Sequence, residues 1–167
     1  PDAHYFDVNV NGTRYVMEAA KAQGARKVIY CSTQGVHGHI DPAPGDESSP
    51  IAPEDYYQET KYLGEEVALE YHRNGLATTI IRPTAIYGPG DPARFLMIFK
   101  WANRGFFPMF GNGRTYYQPV YIDNLVDAFM LAMQEGKGEA TFHGCPAGGG
   151  RHAARGSRAI RAAPRGW

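Results

Sequence analysis

Two short, β-branched apolar runs, Lys27-Val28-Ile29-Tyr30-Cys31-Ser32 and Thr78-Thr79-Ile80-Ile81-Arg82, each follow a longer segment of helical periodicity that a glycine closes. Runs this short and this continuously apolar suit strands covered on both faces, which is the situation of a parallel sheet. Parallel neighbours cannot be joined by a hairpin, and the helical segment between the two runs is long enough to serve as their crossover. The alternation of helix, strand, helix and strand therefore constrains the chain to an α/β architecture.

The first helix is read from Val8 to Gln23. Val8, Gly12, Tyr15, Val16, Ala19 and Ala20 recur at three- and four-residue intervals, with Arg14, Glu18 and Lys21 between them and Gly24 at the end. The second is read from Glu54 to Asn74, with Tyr57, Lys61, Gly64, Val67, Ala68 and Tyr71 on one stripe, Glu59, Glu65, Glu66, Glu70 and Arg73 elsewhere, and Gly75 closing it. Pro, Asp, Ser and Gly between His39 and Pro53 mark an exposed loop, and Pro83, which cannot donate to a central ladder, stops the second strand. Phe95 to Arg104 continues as a helix, Gly111-Asn112-Gly113 as a hairpin turn, and Val120-Tyr121-Ile122 as a strand leading into a helix that Asp123 is suited to cap. The aromatic stretch Phe106 to Phe110 has no basic residues interleaved and reads as core or pocket wall rather than a base-stacking surface.

The chain of 167 residues suffices for one domain, and it carries equal numbers of basic and acidic side chains. A net charge of zero favours neither nucleic acid nor an anionic membrane, so neither is expected as a partner. No stretch approaches the roughly 20 apolar residues of a membrane span. Cys31 and Cys145 lie far apart without ligand spacing, which fits a reducing, cytoplasmic setting, and Cys31 inside its apolar run reads as core. The opening lacks Met and runs at once into a helical pattern, as though beginning in mid-domain. From Cys145 onward there are five arginines, no acidic residue and almost no large apolar side chain. Residues 1–140 are therefore read as the domain and 141–167 as a tail, either basic and nucleic-acid-binding or, the preferred reading, disordered or out of frame. The six histidines show no ligand spacing beyond His37-x-His39 beside Asp41, so no metal site is expected; that loop is read as two exposed histidines.

Tyr57 and Lys61 stand four apart, on the same face of the second helix. A phenol with a pKa of about 10 is a poor base at neutral pH, and a neighbouring ammonium would favour its ionised form. Thr33 follows the first strand at its C-terminal end, where open parallel sheets bind their ligands. A hydroxyl there can hydrogen-bond a substrate oxygen while Tyr57 moves the proton.

The order of these segments resembles that in the extended short-chain dehydrogenases/reductases, the NAD-dependent epimerase/dehydratase family. Cys31-Ser32-Thr33-Gln34-Gly35-Val36-His37-Gly38 is similar to its Ser-Ser-x-x-x-Val-Tyr-Gly element, and Pro53-x-x-x-Tyr57-x-x-x-Lys61 to its catalytic helix. Asn9-Val10-Asn11-Gly12-Thr13 resembles the preceding helix, and Arg82-Pro83-Thr84-Ala85-Ile86-Tyr87-Gly88-Pro89-Gly90-Asp91 the following loop. The resemblance implies a partial Rossmann-type doubly wound parallel sheet with part of a small C-terminal substrate-binding region. It also implies NAD or NADP as cofactor and a small-molecule secondary alcohol or ketone as substrate. By matching position, Tyr57 would be the general acid/base, Lys61 would hold the nicotinamide ribose, and Thr33, with Ser32 as the weaker alternative, would polarise the reacting oxygen. Pro83, Thr84 and Asn9 match positions near the cofactor, where a backbone role stands equally beside a binding one. Homodimers in this family commonly form through helices like the two read here.

Two departures limit the match. The Gly-x-x-Gly-x-x-Gly turn that seats the pyrophosphate is not in the sequence, nor is the acidic residue that grips the adenosine ribose, so about 80 residues of the N-terminal half are expected to be absent. Nucleotide-sugar members carry an Arg just before the strand that is here Val120–Ile122; the matching residue is Tyr117, with Arg114 three residues upstream, and both are candidates for substrate contact. A nucleotide sugar and a 3β-hydroxysteroid-like substrate both stay open, as does a non-enzymatic remnant that binds no dinucleotide.

Overall fold

A computed structural model of the chain describes residues 2–41, 43, 45–91, 95–105, 117–134 and 141–143. The chain begins in α1 (Asp2–Phe6), passes through a π-helical turn (Asp7–Asn11) and continues as α2 (Gly12–Ala22). It then forms β1 (Val28–Cys31), a 3-10 turn (Gln34–His37), α3 (Tyr56–Arg73) and β2 (Thr78–Arg82). β3 (Ile86–Tyr87), α4 (Phe95–Asn103), β4 (Val120–Tyr121), α5 (Ile122–Gln134) and β5 (Thr141–His143) complete the order.

Both early helices end for the same reason. Gly24 and Gly75 have φ of +66° and +91°, the left-handed conformation that glycine adopts without steric cost. In each case the glycine N–H bonds back three residues, to Lys21 and to His72, and the next N–H reaches back five, to Ala20 and to Tyr71. This double closure caps the helix and turns the chain straight into a strand. β1 and β2 pair in parallel, with Val28 opposite Thr78 and Cys31 opposite Ile81, and α3 is their crossover. β5 lies parallel on the other side of β2, giving the order β1-β2-β5. The expected partial α/β fold with a parallel sheet is thus the observed one. Three residues of the stretch expected as a tail lie in β5, while residues 144–167, the Phe106–Phe110 stretch and the Gly111-Asn112-Gly113 turn lie outside the described residues. β3 and β4 form a second, two-stranded parallel sheet, with Ile86 opposite Val120.

Every residue of β2 is buried. On one face of the sheet Met17, Tyr30, Ala68, Leu76 and Ile80 form a core under α2 and α3; on the other, Ile81, Leu125 and Ala132 form a second core under α5. Each side chain of Leu or Ile size removed from water contributes about 1.5–3 kcal/mol. Lys27 Nζ donates to the carbonyl of Ala132 at 2.5 Å and ties the start of the first strand to α5.

Several expectations change on contact with these layers. The first helix buries Val10 and Met17, while Val8, Tyr15 and Val16 of the predicted stripe are exposed. The π-helical turn closes i→i+5 bonds and so breaks the three- and four-residue register on which the predicted stripe rests, and the sheet accepts the face that carries Met17. Glu65, read as lying off the apolar stripe of the second helix, is fully buried, where it meets Arg82. His37 is buried rather than exposed, and Cys31, expected in the core, is exposed at the C-terminal end of β1. Helix α5 begins one residue before Asp123, so that carboxylate sits in the first turn, where it opposes the positive helix end, and does not cap it.

Tyr30 spans the interface between β1 and the helices: its hydroxyl donates to the Lys61 carbonyl at 3.2 Å. A side chain at Gly64 would collide with that hydroxyl and with the Asn9 carbonyl, so glycine is what lets α3 approach the π-helical turn. Gly64→Ala is expected to cost about 1–3 kcal/mol of overpacking strain, read as a lower urea midpoint; an unchanged midpoint would contradict this contact. Burial drives the Tyr30 phenol well above its ordinary value, chiefly through lost solvation. The folded chain then keeps a proton that the unfolded chain releases above about pH 10. The stability this group lends is present below that pH and is lost as pH rises through the folded value. Urea midpoints taken at pH 9 and pH 11 should fall more for the wild type than for Tyr30→Phe, and equal losses would show that Tyr30 is not the group responsible.

Candidate active site

The carboxyl end of β1 is where the predicted reacting groups converge. Beyond Cys31 the ladder to β2 continues through two further backbone bonds, Ser32 N–H to the Ile81 carbonyl at 2.8 Å and Gln34 N–H to the Pro83 carbonyl at 2.9 Å. Thr33 lies between them in extended conformation, and its Oγ1 accepts from the Gly35 N–H at 3.2 Å, capping the 3-10 turn. The hydroxyl proton of Thr33 is not used in that bond. Ser32, the alternative, is buried, and its Oγ has no hydrogen-bond partner among the described residues.

Helix α3 starts beside this turn. Asp55 caps it by accepting from the Gln58 N–H at 2.7 Å, while the Gln58 side chain accepts from the Glu54 N–H at 2.7 Å. The cap places Tyr57 in the first turn of the helix, and Gln58 lies against Gly35 of the Thr33 turn. Tyr57 is 43% exposed, with its ring edge-on to Tyr5 at 5.9 Å. Lys61, one turn on, donates from Nζ to the Cys31 carbonyl at 2.5 Å and stands over the Tyr30 ring at 4.7 Å from its centroid. A cation there gains from the ring quadrupole.

The electrostatics differ from the simple picture of an ammonium acidifying a phenol. Partial burial raises Tyr57 above its ordinary value, and Cys31, Asp55 and Tyr5 raise it further. Burial lowers Lys61, opposed by Cys31 and Glu65. The Cys31 thiol is raised by the protein crowding around it, with Lys61 working the other way. Lys61 thus spends its charge on the Cys31 carbonyl and the Tyr30 ring, and Tyr57 is held as the protonated phenol.

Of the other predicted residues, Asn9 is built into the support of the helix rather than left free. Its Nδ2 donates to Thr60 Oγ1 at 3.0 Å, and Thr60 in turn donates to the Tyr57 carbonyl at 2.9 Å, so the π-helical turn holds α3 between Tyr57 and Lys61. Pro83 is buried and serves as the backbone acceptor for Gln34; Thr84 follows it, half-buried. Tyr117 belongs to a separate aromatic group: it packs on Phe95 at 6.3 Å, Phe95 on Tyr87 at 5.4 Å, and Tyr87 on Tyr121 at 5.3 Å. Arg114 lies outside the described residues.

The structure also shows a cluster that periodicity did not reveal. Arg82, Glu65 and His37 meet behind the Thr33 turn, all buried. One signal was present in the sequence: an Arg ending an otherwise apolar buried strand requires an anion, and Glu65 is the carboxylate one helical turn beyond Lys61. Among the described residues no group of three potential ligands is placed to hold a metal ion, and no helix is long and apolar enough to cross a membrane.

A sequence profile described as "NAD dependent epimerase/dehydratase family" matches residues 1–143. An Escherichia coli O157:H7 protein, N-acetyl-alpha-D-glucosaminyl-diphospho-ditrans,octacis-undecaprenol 4-epimerase, is 35% identical over 130 residues, covering 76% of this chain and 39% of its own length. The sterol-4-alpha-carboxylate 3-dehydrogenase (decarboxylating) of Bos taurus is 35% identical over 136 residues, covering 78% of this chain and 38% of its own. Among solved structures, the dTDP-glucose 4,6-dehydratase of Streptomyces venezuelae, with NAD bound, superposes with a TM-score of 0.72 at 29% identity, over 86% of this chain and 46% of that one. The chain thus spans about two fifths of the length of these curated relatives. A parallel sheet with Tyr57, Lys61 and the Thr33 turn at one end, matched over 143 residues by the family's profile, establishes that this chain belongs to the NAD-dependent epimerase/dehydratase family.

Proposed function

We propose that the chain is the catalytic middle section of an NAD(P)-dependent oxidoreductase, epimerase or dehydratase that acts on a secondary alcohol or ketone. The observation that carries this reading is the gathering of Tyr57 and Lys61 around the Cys31 end of β1, with the Thr33 hydroxyl on the turn that follows and packs against α3. Tyr57 gives its proton to a carbonyl oxygen in the reducing direction and takes one from a hydroxyl in the other. The raised value keeps the phenol protonated at neutral pH, the form that the first of these roles needs, while making it the weaker acid. Thr33 donates its unspent proton to the same oxygen and orients it.

The donor set fits the nicotinamide ribose end of a dinucleotide: Lys61 has two N–H groups beyond the one given to Cys31, and Tyr57, an exposed residue, carries a hydroxyl that can donate or accept. The cofactor supplies the hydride chemistry when bound. Among the described residues, neither strand of the β1-β2 crossover leads through a glycine-rich turn into a helix, the arrangement that seats a pyrophosphate.

A second, steroid-dehydrogenase-like reading is favoured by Tyr117. It stands where nucleotide-sugar members carry a phosphate-binding Arg, and it joins the rings of Phe95, Tyr87 and Tyr121. A phenol ring there offers apolar contact but no bidentate anion grip. A homodimer is also proposed, since Val8, Tyr15 and Val16 leave an apolar face of the first helices exposed for a second copy.

In an active, full-length protein that carries this chain, Tyr57→Phe should lower kcat by about 10²–10⁴-fold while cofactor affinity changes little. Retained turnover would refute the assigned role. For the chain by itself, millimolar NAD or NADP should raise the melting temperature or quench Trp101 fluorescence if these residues bind dinucleotide unaided. No response to either would favour a remnant or interaction domain that binds none.

A further inference from the structure

The buried cluster behind the Thr33 turn is more specific than stability alone requires. Arg82 ends β2 and is 7% exposed, Glu65 is 0% exposed, and His37 is 1% exposed. The guanidinium meets the carboxylate in two parallel bonds, Nε to Oε1 at 2.8 Å and Nη2 to Oε2 at 2.6 Å. Its Nη1 lies 2.9 Å from His37 Nε2. Arginine has only donors, so that imidazole nitrogen must be the acceptor and carry no hydrogen. The ring hydrogen then sits on Nδ1, which donates to the Pro50 carbonyl at 3.0 Å. One hydrogen-bonded chain, Glu65 to Arg82 to His37 to Pro50, fixes the tautomer and joins α3, the end of β2, the 3-10 turn and the loop before α3.

We propose that His37, Arg82 and Glu65 form a positioning triad, which holds the Thr33 turn in register with the helix that carries Tyr57 and Lys61. This rests on the reading of those three residues as the reacting set. Glu65 lies one turn beyond Lys61 and two beyond Tyr57 on the same helical stripe. His37 ends the turn that Thr33 caps, and Arg82 precedes the Pro83 carbonyl that accepts from Gln34. The triad therefore ties the turn that Thr33 caps and the end of β2 to the helix that carries Tyr57 and Lys61. A buried ion pair is weak as a source of net stability, because desolvation cancels much of the attraction. A two-pronged fork is strong as a source of orientation, and a displacement of about 1 Å at a reacting group can cost about 10²-fold in rate.

Arg82→Lys keeps the charge and loses the fork; His37→Phe keeps the ring and loses both nitrogens. Backbone hydrogen exchange on the 167-residue chain should show Gln34 and Gly35 exchanging at least about tenfold faster in either variant, with Ile80 and Ile81 in the core little changed. In the active full-length protein, kcat per folded molecule of Arg82→Lys should fall by about 10²-fold, with KM for the cofactor within about threefold of the wild type. If Arg82→Lys does not fold, His37→Phe carries both measurements. Uniform acceleration of exchange throughout the sheet, or an unaltered kcat per folded molecule in a protein that Tyr57→Phe inactivates, would overturn the proposal. Retained turnover in Tyr57→Phe would instead remove the reading of the reacting set, and exchange at Gln34 and Gly35 would still decide whether the triad holds the turn.

Discussion

The parallel pairing of β1 with β2 determines where everything else in this chain can go. Two parallel neighbours bring their carboxyl ends to one edge, so the turn after Cys31 and the turn after Arg82 must emerge side by side. The backbone bonds from Ser32 to Ile81 and from Gln34 to Pro83 carry that pairing past the regular strands and into the site. The crossover helix has to pack on the face of the sheet between them, and its first turn comes up against the Thr33 turn at Gln58 and Gly35. Thr33, Tyr57 and Lys61 are neighbours because of this connection, although the sequence separates them by a 3-10 turn and a long loop.

Local chemistry made the skeleton legible in the sequence. Gly24 and Gly75, each at the end of a periodic segment, predict helix ends followed by strands, and both adopt the left-handed geometry that the prediction needs. The apolar runs predict β1 to within a residue at either end, and β2 at its observed bounds. The spacing of Tyr57 and Lys61 predicts a shared helical face, which the helix delivers. What periodicity could not give is the choice between faces. Val8, Tyr15 and Val16 mark an apolar stripe, but the stripe says only that a face favours being covered, and the residues buried are Val10 and Met17 instead, Met17 in the core between sheet and helices. Short strands were missed for a related reason: β3 has two residues and β5 three, too few to show a period of two.

The buried polar groups were illegible for a different reason. Glu65 lies on a helix whose other acidic side chains, Glu59, Glu66 and Glu70, are exposed, and its own sequence neighbourhood sets it apart only by its spacing of four from Lys61. Its burial is decided by Arg82, seventeen residues away on β2 and brought to it by the crossover. The same holds for His37, which a loop-like composition made look solvated until Arg82 and Pro50 supplied partners for both ring nitrogens. Long-range satisfaction of hydrogen bonds cannot be read one segment at a time.

Tyr57 shows how the same separation of scales affects chemistry. Sequence spacing puts an ammonium one turn from a phenol and so suggests a lowered pKa. Three dimensions give that ammonium the Cys31 carbonyl and the Tyr30 ring, and they give the phenol a capping carboxylate at Asp55 and a second ring at Tyr5. Helical proximity brings the two side chains to one face without obliging them to pair. The electrostatic balance at Tyr57 is consequently set first by burial and then by Cys31, Asp55 and Tyr5, none of which a motif of two residues contains.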